Sequence, residues 1–149
     1  MRIRVFSRNE ALVAAQNDMS YKIIISIYTP GDTAPEFPNN PTILDVLSLS
    51  FYDIESKKEM LTPVADDEIF NTNYAKQIKD FVTFWRKNEN PELEEIWVHC
   101  DAGVSRSAGV AAALLKALFN DDSEIYDNPR YFSNFLCYKT LLEAFHNNN

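Results

Sequence analysis

The chain is short of cysteine, of histidine, of positive charge and of long apolar runs. The two cysteines, Cys100 and Cys137, are too few for a disulfide framework, and they fit a reduced, cytoplasmic setting. The two histidines, His99 and His146, lie far apart and have no paired acidic neighbours, so no metal site is expected. No cofactor is expected either. Fourteen Lys and Arg face 22 Asp and Glu, a net charge of −8. With no local basic patch, that balance disfavours nucleic acid and anionic membranes as partners. The run Ile23 to Tyr28 is far below the roughly 20 apolar residues that span a bilayer, and Met1 to Phe6 lacks the apolar core of a signal peptide. Repeats are absent, and the Asn tail 147–149 is expected to fray.

The 149 residues, 46% hydrophobic, suit a single domain over 1–149 with one core. Arg2 to Phe6 alternates as an edge or half-buried strand does. Ser7 and Glu10 match a capping box, which predicts a helix over Glu10 to Asn17 with Leu12 and Val13 inward. Lys22 to Tyr28 is continuous and rich in isoleucine, the pattern of a strand buried on both faces. Five residues from Pro30 to Pro41 are proline or glycine, so Thr29 to Pro41 is loop. Thr42 to Tyr52 reads as the next strand, with Leu47, Leu49 and Phe51 on one face. Asp53 to Asp67 is an acidic surface loop. Tyr74, Ile78, Phe81, Val82 and Trp85 fall at helical spacing within Asn73 to Asn88. Ile96 to His99 is a central strand, and Ser107 to Phe119 is a helix apolar nearly all round. Asn120 to Arg130 is a polar loop. Phe132, Phe135, Leu136, Leu142 and Phe145 mark a last helix that includes Cys137 and His146. Strands alternating with helices imply an α/β fold, a mainly parallel central sheet flanked by helices on both faces. Ligands in such sheets bind outside the carboxyl ends of the strands, where both Cys100 and Asp53 fall.

The stretch from His99 to Gly109 joins that central strand to the apolar helix. A loop opening a helix offers unpaired N–H groups and the positive end of the helix dipole, a setting for an anion such as phosphate. Gly103 can take φ > 0 and pass close to a ligand. Arg106 opens the helix, and its planar fork can hold two oxygens of one phosphate. Cys100 stands at the other lip of the loop, five residues away. Backbone N–H groups, the helix N-terminus and a guanidinium all favour its thiolate, the nucleophilic form. Ser107 is placed to hydrogen-bond the sulfur, and His99 to fix the loop rather than act as a base.

His99-Cys100-x5-Arg106-Ser107 resembles the signature of the cysteine-dependent protein tyrosine phosphatases, with Gly103 where that family has its glycine. The short chain and the strand ending in Asp53 resemble its small dual-specificity branch. The resemblance implies a phosphatase-like fold with a phosphate-binding loop between a strand and a buried helix. It also implies a metal-free, two-step hydrolysis. Cys100 attacks phosphorus, a cysteinyl-phosphate forms, and water releases it. Residues Asp101, Ala102, Gly103, Val104, Ser105 and Arg106 would bind the phosphate, or a sulfate in its place. Ser107 would assist the sulfur as leaving group. The general acid would be Asp53, with Asp66 and Asp67 as rivals. The expected substrates are phosphorylated proteins, phosphotyrosine first and phosphoserine or phosphothreonine next, or small phosphoesters. Because residues 101–105 carry no positive charge, a phosphoinositide or an RNA 5′-phosphate ranks lower. A non-catalytic phosphate-binding module is the remaining alternative.

Overall fold

A computed structural model describes residues 1–147; the last two residues of the Asn tail lie outside it. Four strands form one all-parallel sheet: β1 (Arg2–Ser7), β2 (Lys22–Tyr28), β3 (Ile43–Ser50) and β4 (Glu95–Cys100), in the order β1-β4-β2-β3. The two central strands are the two most apolar. Every residue of β4 is buried, and β2 is buried from Lys22 to Ile27. All four strands run the same way, so Ser7, Tyr28, Ser50 and Cys100 share the carboxyl edge of the sheet.

Among the described residues five α-helices accompany the sheet: α1 (Arg8–Ala14), α2 (Thr72–Lys87), α3 (Arg106–Phe119), α4 (Ser123–Tyr126) and α5 (Phe135–His146). The larger core lies on the face covered by α2, α3 and α5, with Ile23, Ile25, Ile96, Val98 and Leu114 at its centre. The opposite face is covered by α1 and the β2–β3 loop, over a small cluster of Phe6, Ala11, Ala15, Ile24 and Trp97. Helix α3 packs closely on α5 because Gly109 lacks a side chain. A Cβ there would stand 2.5 Å from the Asn134 carbonyl oxygen and 3.0 Å from Cys137 Cβ.

Three expectations need correction. The capping box at Ser7 starts α1 at Arg8, and the helix ends at Ala14 rather than Asn17. Ala11 and, just past the end of the helix, Ala15 are fully buried and Leu12 is half-buried, whereas Val13 is 67% exposed. Ala11 and Ala15 pack there against the large side chains of Phe6, Ile24 and Trp97. The loop after α3 contains the short helix α4, which buries Ile125. The final helix begins at Phe135, capped by Asn134, whose side chain accepts from the Cys137 amide. Phe132 lies outside it and is 83% exposed; within it Cys137 and Leu141 are buried, and Leu136, Leu142 and Phe145 pack half-buried against the core.

Candidate active site

The loop from Cys100 to Arg106 sits at the carboxyl edge of the sheet, between the end of β4 and the start of α3. Its outward carbonyls are claimed by neighbouring backbone. Arg8 N–H donates to Asp101 at 3.2 Å, Phe132 to Val104 at 2.9 Å and Asn134 to Ser105 at 3.0 Å. Three of its carbonyls are thus spent on neighbouring backbone, and a run of N–H groups opening a helix is the kind of backbone that can hold an anion. Gly103 has φ 71°, and a Cβ there would stand 2.6–2.8 Å from Ser7 N and from the Phe6 carbonyl carbon and oxygen. Only glycine both adopts this conformation and lets the loop press against the β1–α1 junction. Ser105, the N-cap of α3, makes no side-chain cap. Its hydroxyl donates to Asp53 instead, which leaves the first amides of α3 without a side-chain partner.

Cys100 is buried, and its sulfur lies 3.1 Å from Ser107 Oγ in a hydrogen-bonded pair. His99, also fully buried, faces away from the sulfur. Its Nδ1 donates to the Cys100 carbonyl at 3.2 Å, which leaves Nε2 to accept from the Ser26 hydroxyl at 2.6 Å. Burial holds the His99 pKa below its ordinary 6.5, helped by the positive charges of Arg8 and Arg106 and opposed by its bond to Cys100. The ring is therefore a neutral brace for the strand end, with both nitrogens engaged.

The Arg106 guanidinium is buried and held from one side. Nη1 donates to the Phe51 carbonyl at 2.8 Å and to Thr29 Oγ1 at 3.1 Å, and Nη2 to Asp101 Oδ2 at 3.1 Å. Nε is the one buried side-chain nitrogen or oxygen among the described residues with no partner. Of five N–H groups, Nε–H and the second Nη2–H remain unspent, and they lie on the same edge of the fork. A tetrahedral oxyanion presents two oxygens at the spacing of that edge.

Of the three aspartates named as candidate acids, Asp53 alone has a hydrogen bond to the loop among the described residues. Its Oδ1 accepts from Ser105 Oγ at 2.7 Å and from Asn134 Nδ2 at 3.0 Å. Asp66 is bound to Lys57, and that hydrogen bond and charge hold its carboxyl below the usual range. Asp67 is exposed, and its carbonyl accepts from the Tyr74 hydroxyl. Asp101 lies in the loop, and its carboxylate is turned to Arg106 and Thr29. Four participants were not anticipated from sequence. They are Ser26, Thr29, the Phe51 carbonyl and Asn134, which caps α5 and reaches both Asp53 and the Ile54 carbonyl. No group of three or more His, Cys, Asp or Glu that could hold a metal ion occurs among the described residues. No helix among them is long and apolar enough to cross a membrane.

Comparison with solved structures finds the same fold in phosphatases and in a phosphatase-like protein. One is PTPMT1 in complex with PI(5)P (TM-score 0.56, 15% identity, covering 97% of this chain and 90% of that one). A second is the human tyrosine phosphatase-like serine/threonine/tyrosine-interacting protein (TM-score 0.55, 16% identity, 92% and 83%). A third is Tk-PTP in its active form (TM-score 0.52, 15% identity, 99% and 93%). The chain thus has a cysteine-dependent tyrosine-phosphatase-like fold. No curated protein sequence matches it. One family model does, described as "Init_tRNA_PT: Rit1 DUSP-like domain", over residues 53–141. That match takes in Asp53, β4, the whole anion loop, α3 and the start of α5, more than half of the sequence, and the chain belongs to the Rit1 DUSP-like domain family.

Proposed function

We propose that the protein is a phosphatase that hydrolyses phosphate monoesters through a cysteinyl-phosphate on Cys100. The observation that carries this reading is the unspent edge of Arg106, a buried guanidinium at the end of a loop that begins with the buried Cys100. A buried, unpartnered guanidinium nitrogen is costly unless a ligand satisfies it.

In the first step the Cys100 sulfur attacks phosphorus. An S–P bond forms and the P–O bond to the leaving group breaks. The loop amides and Arg106 take up the charge on the three equatorial oxygens, and these fixed dipoles need no reorganisation during the step. Asp53 Oδ1 already accepts two hydrogen bonds, so Oδ2 carries the proton that goes to the leaving oxygen. In the second step the same carboxylate takes a proton from water as water attacks phosphorus. The S–P bond breaks, and the Ser107 hydroxyl donates to the departing sulfur.

Phosphotyrosine in proteins is the favoured substrate. The loop side chains Asp101 to Ser105 add no positive charge, and the exposed Phe132, whose amide is bound to Val104, offers an apolar face beside the phosphate site. Phosphoserine and phosphothreonine would fit less well. A phosphate carried on RNA is the second reading, favoured by the family name that the match carries. Two free, buried cysteines suit a reducing compartment such as the cytoplasm.

The test is kcat/KM measured side by side on a phosphotyrosine peptide, a 5′-phosphorylated RNA oligonucleotide and a phosphoinositide, with the parent and Arg106→Lys. The peptide is expected to be the best substrate. The lysine variant, which keeps the charge but loses the fork, is expected to fall steeply on all three. No turnover of any phosphoester by the parent would refute the reading; preference for RNA would install the second one.

A further inference from the structure

We infer that Thr29 and Asp101 are positioning residues that set the edge Arg106 presents to the phosphate. The Asp101 carboxylate then acts through Arg106 and not by contact with the substrate. This rests on Arg106 holding an oxyanion, as proposed above.

Thr29 follows the last residue of β2, at the sheet edge where the loop lies. Its hydroxyl accepts from Arg106 Nη1 at 3.1 Å and donates to Asp101 Oδ2 at 2.7 Å. The same Asp101 oxygen accepts from Arg106 Nη2 at 3.1 Å. The three groups therefore close a ring across the Nη1/Nη2 end of the guanidinium. The Phe51 carbonyl fixes the other Nη1 hydrogen at 2.8 Å. These four bonds fix the plane of the fork and its rotation within that plane. They occupy the end edge and leave the Nε/Nη2 edge unspent. Were Thr29 or Asp101 missing, Arg106 could turn its more accessible end edge toward the anion and lose the bidentate contact.

Charge alone argues against placing an aspartate there. A carboxylate in an anion loop repels phosphate, and at close range that repulsion weakens binding. Burial also disfavours its ionisation, yet the Thr29 hydroxyl and the charge of Arg106 together keep the Asp101 carboxyl below the usual range. The hydrogen-bonded ring supplies the reason for keeping the charge. The two views predict opposite signs. If Asp101 is only a nearby negative charge, its removal tightens anion binding. If it positions Arg106, removal weakens binding.

The experiment measures the affinity for inorganic phosphate, by calorimetry, in the full chain carrying Cys100→Ser, with and without Asp101→Ala, Thr29→Val and Thr29→Ser. The same three changes are also made in the active protein to read kcat and KM on an aryl phosphate. Asp101→Ala and Thr29→Val are each expected to weaken phosphate binding and raise KM by about 10- to 100-fold, the effect of losing a hydrogen bond to a charged group. Thr29→Ser, which keeps the hydroxyl, is expected to restore affinity to within about threefold of the parent, a shift well under 1.4 kcal/mol. Melting temperatures compared with the parent identify a variant that has merely failed to fold, and Thr29→Val, which is nearly isosteric, then carries the decision. Unchanged or tighter binding in folded Asp101→Ala and Thr29→Val would overturn the inference. Absence of phosphate binding in the Cys100→Ser protein, together with no turnover by the parent, would overturn the functional reading and this inference with it.

Discussion

Replacing Gly103 with alanine tests whether the anion loop depends on its seat against the β1–α1 junction. Two costs add at this position. The backbone is at φ 71°, where a side chain costs about 1–2 kcal/mol. The new Cβ would also lie 2.6 Å from Ser7 N and 2.7–2.8 Å from the Phe6 carbonyl, against the 3.0 Å floor of real Cβ contacts, so something must give by 3.0 − 2.6, about 0.4 Å. The opposing atoms are backbone atoms at the end of a paired strand, so the loop is the softer partner and moves outward. A shift of that size approaches the roughly 0.5 Å tolerance of a catalytic constellation, and a displacement near 1 Å costs about 100-fold. Gly103→Ala is therefore expected to lose about 1–3 kcal/mol of stability, several degrees of melting temperature, and about 10- to 100-fold in kcat/KM. The assays are calorimetric melting and turnover of an aryl phosphate. Gly31→Ala is the control, because its φ is 94° but nothing lies within 4 Å of the new Cβ. It should carry the conformational cost with a much smaller catalytic one. A Gly103→Ala protein that melts and turns over like the parent would refute the reasoning.

Asp53→Asn is expected to slow hydrolysis of esters with poor leaving groups by about 10²–10⁴-fold, and of activated aryl phosphates much less. Asp66→Asn or Asp67→Asn showing that dependence while Asp53→Asn behaves like the parent would move the acid to the loop before α2, as a mobile lid. A second expectation concerns acid stability. The His99 pKa is depressed by burial, so the unfolded chain binds the extra proton first as the solution is acidified. Its contribution is intact above the ordinary 6.5 and is lost as pH falls below that value. Melting temperature followed from about pH 7.5 to 5 should drop more steeply in the parent than in His99→Asn, whose replacement side chain does not titrate; equal slopes would show that His99 is not the sensor.

Much of the site was legible because its core is contiguous. Cys100, Gly103, Arg106 and Ser107 lie within one turn and one helix start, where spacing in sequence is nearly spacing in space. Asp53 was reachable by a longer step, through the rule that strand ends share an edge in a parallel sheet. The supporting residues were not reachable. Ser26 meets His99 across 73 positions, Thr29 meets Arg106 across 77, and Asn134 meets Asp53 across 81. Serine, threonine and asparagine at strand ends and helix starts are commonplace, so nothing local marks these three. The face of α1 was misread through the expectation that a large apolar side chain turns inward. Ala11 and Ala15 are the fully buried residues there, Leu12 is half-buried, and Val13 stands outside. Around the N-terminus of α5, Phe132 and Phe135 stay exposed at the rim of the site while Cys137 and Leu141 fill the contact with α3.

The covalent intermediate is tested most directly by acid-quenching the protein during turnover of an aryl phosphate and mapping phosphate on its peptides by mass spectrometry. Phosphate on the peptide bearing Cys100, absent when Cys100→Ser is treated in the same way, is the expected result. Turnover that persists in Cys100→Ser, or a working parent whose phosphate maps to another residue, would contradict it.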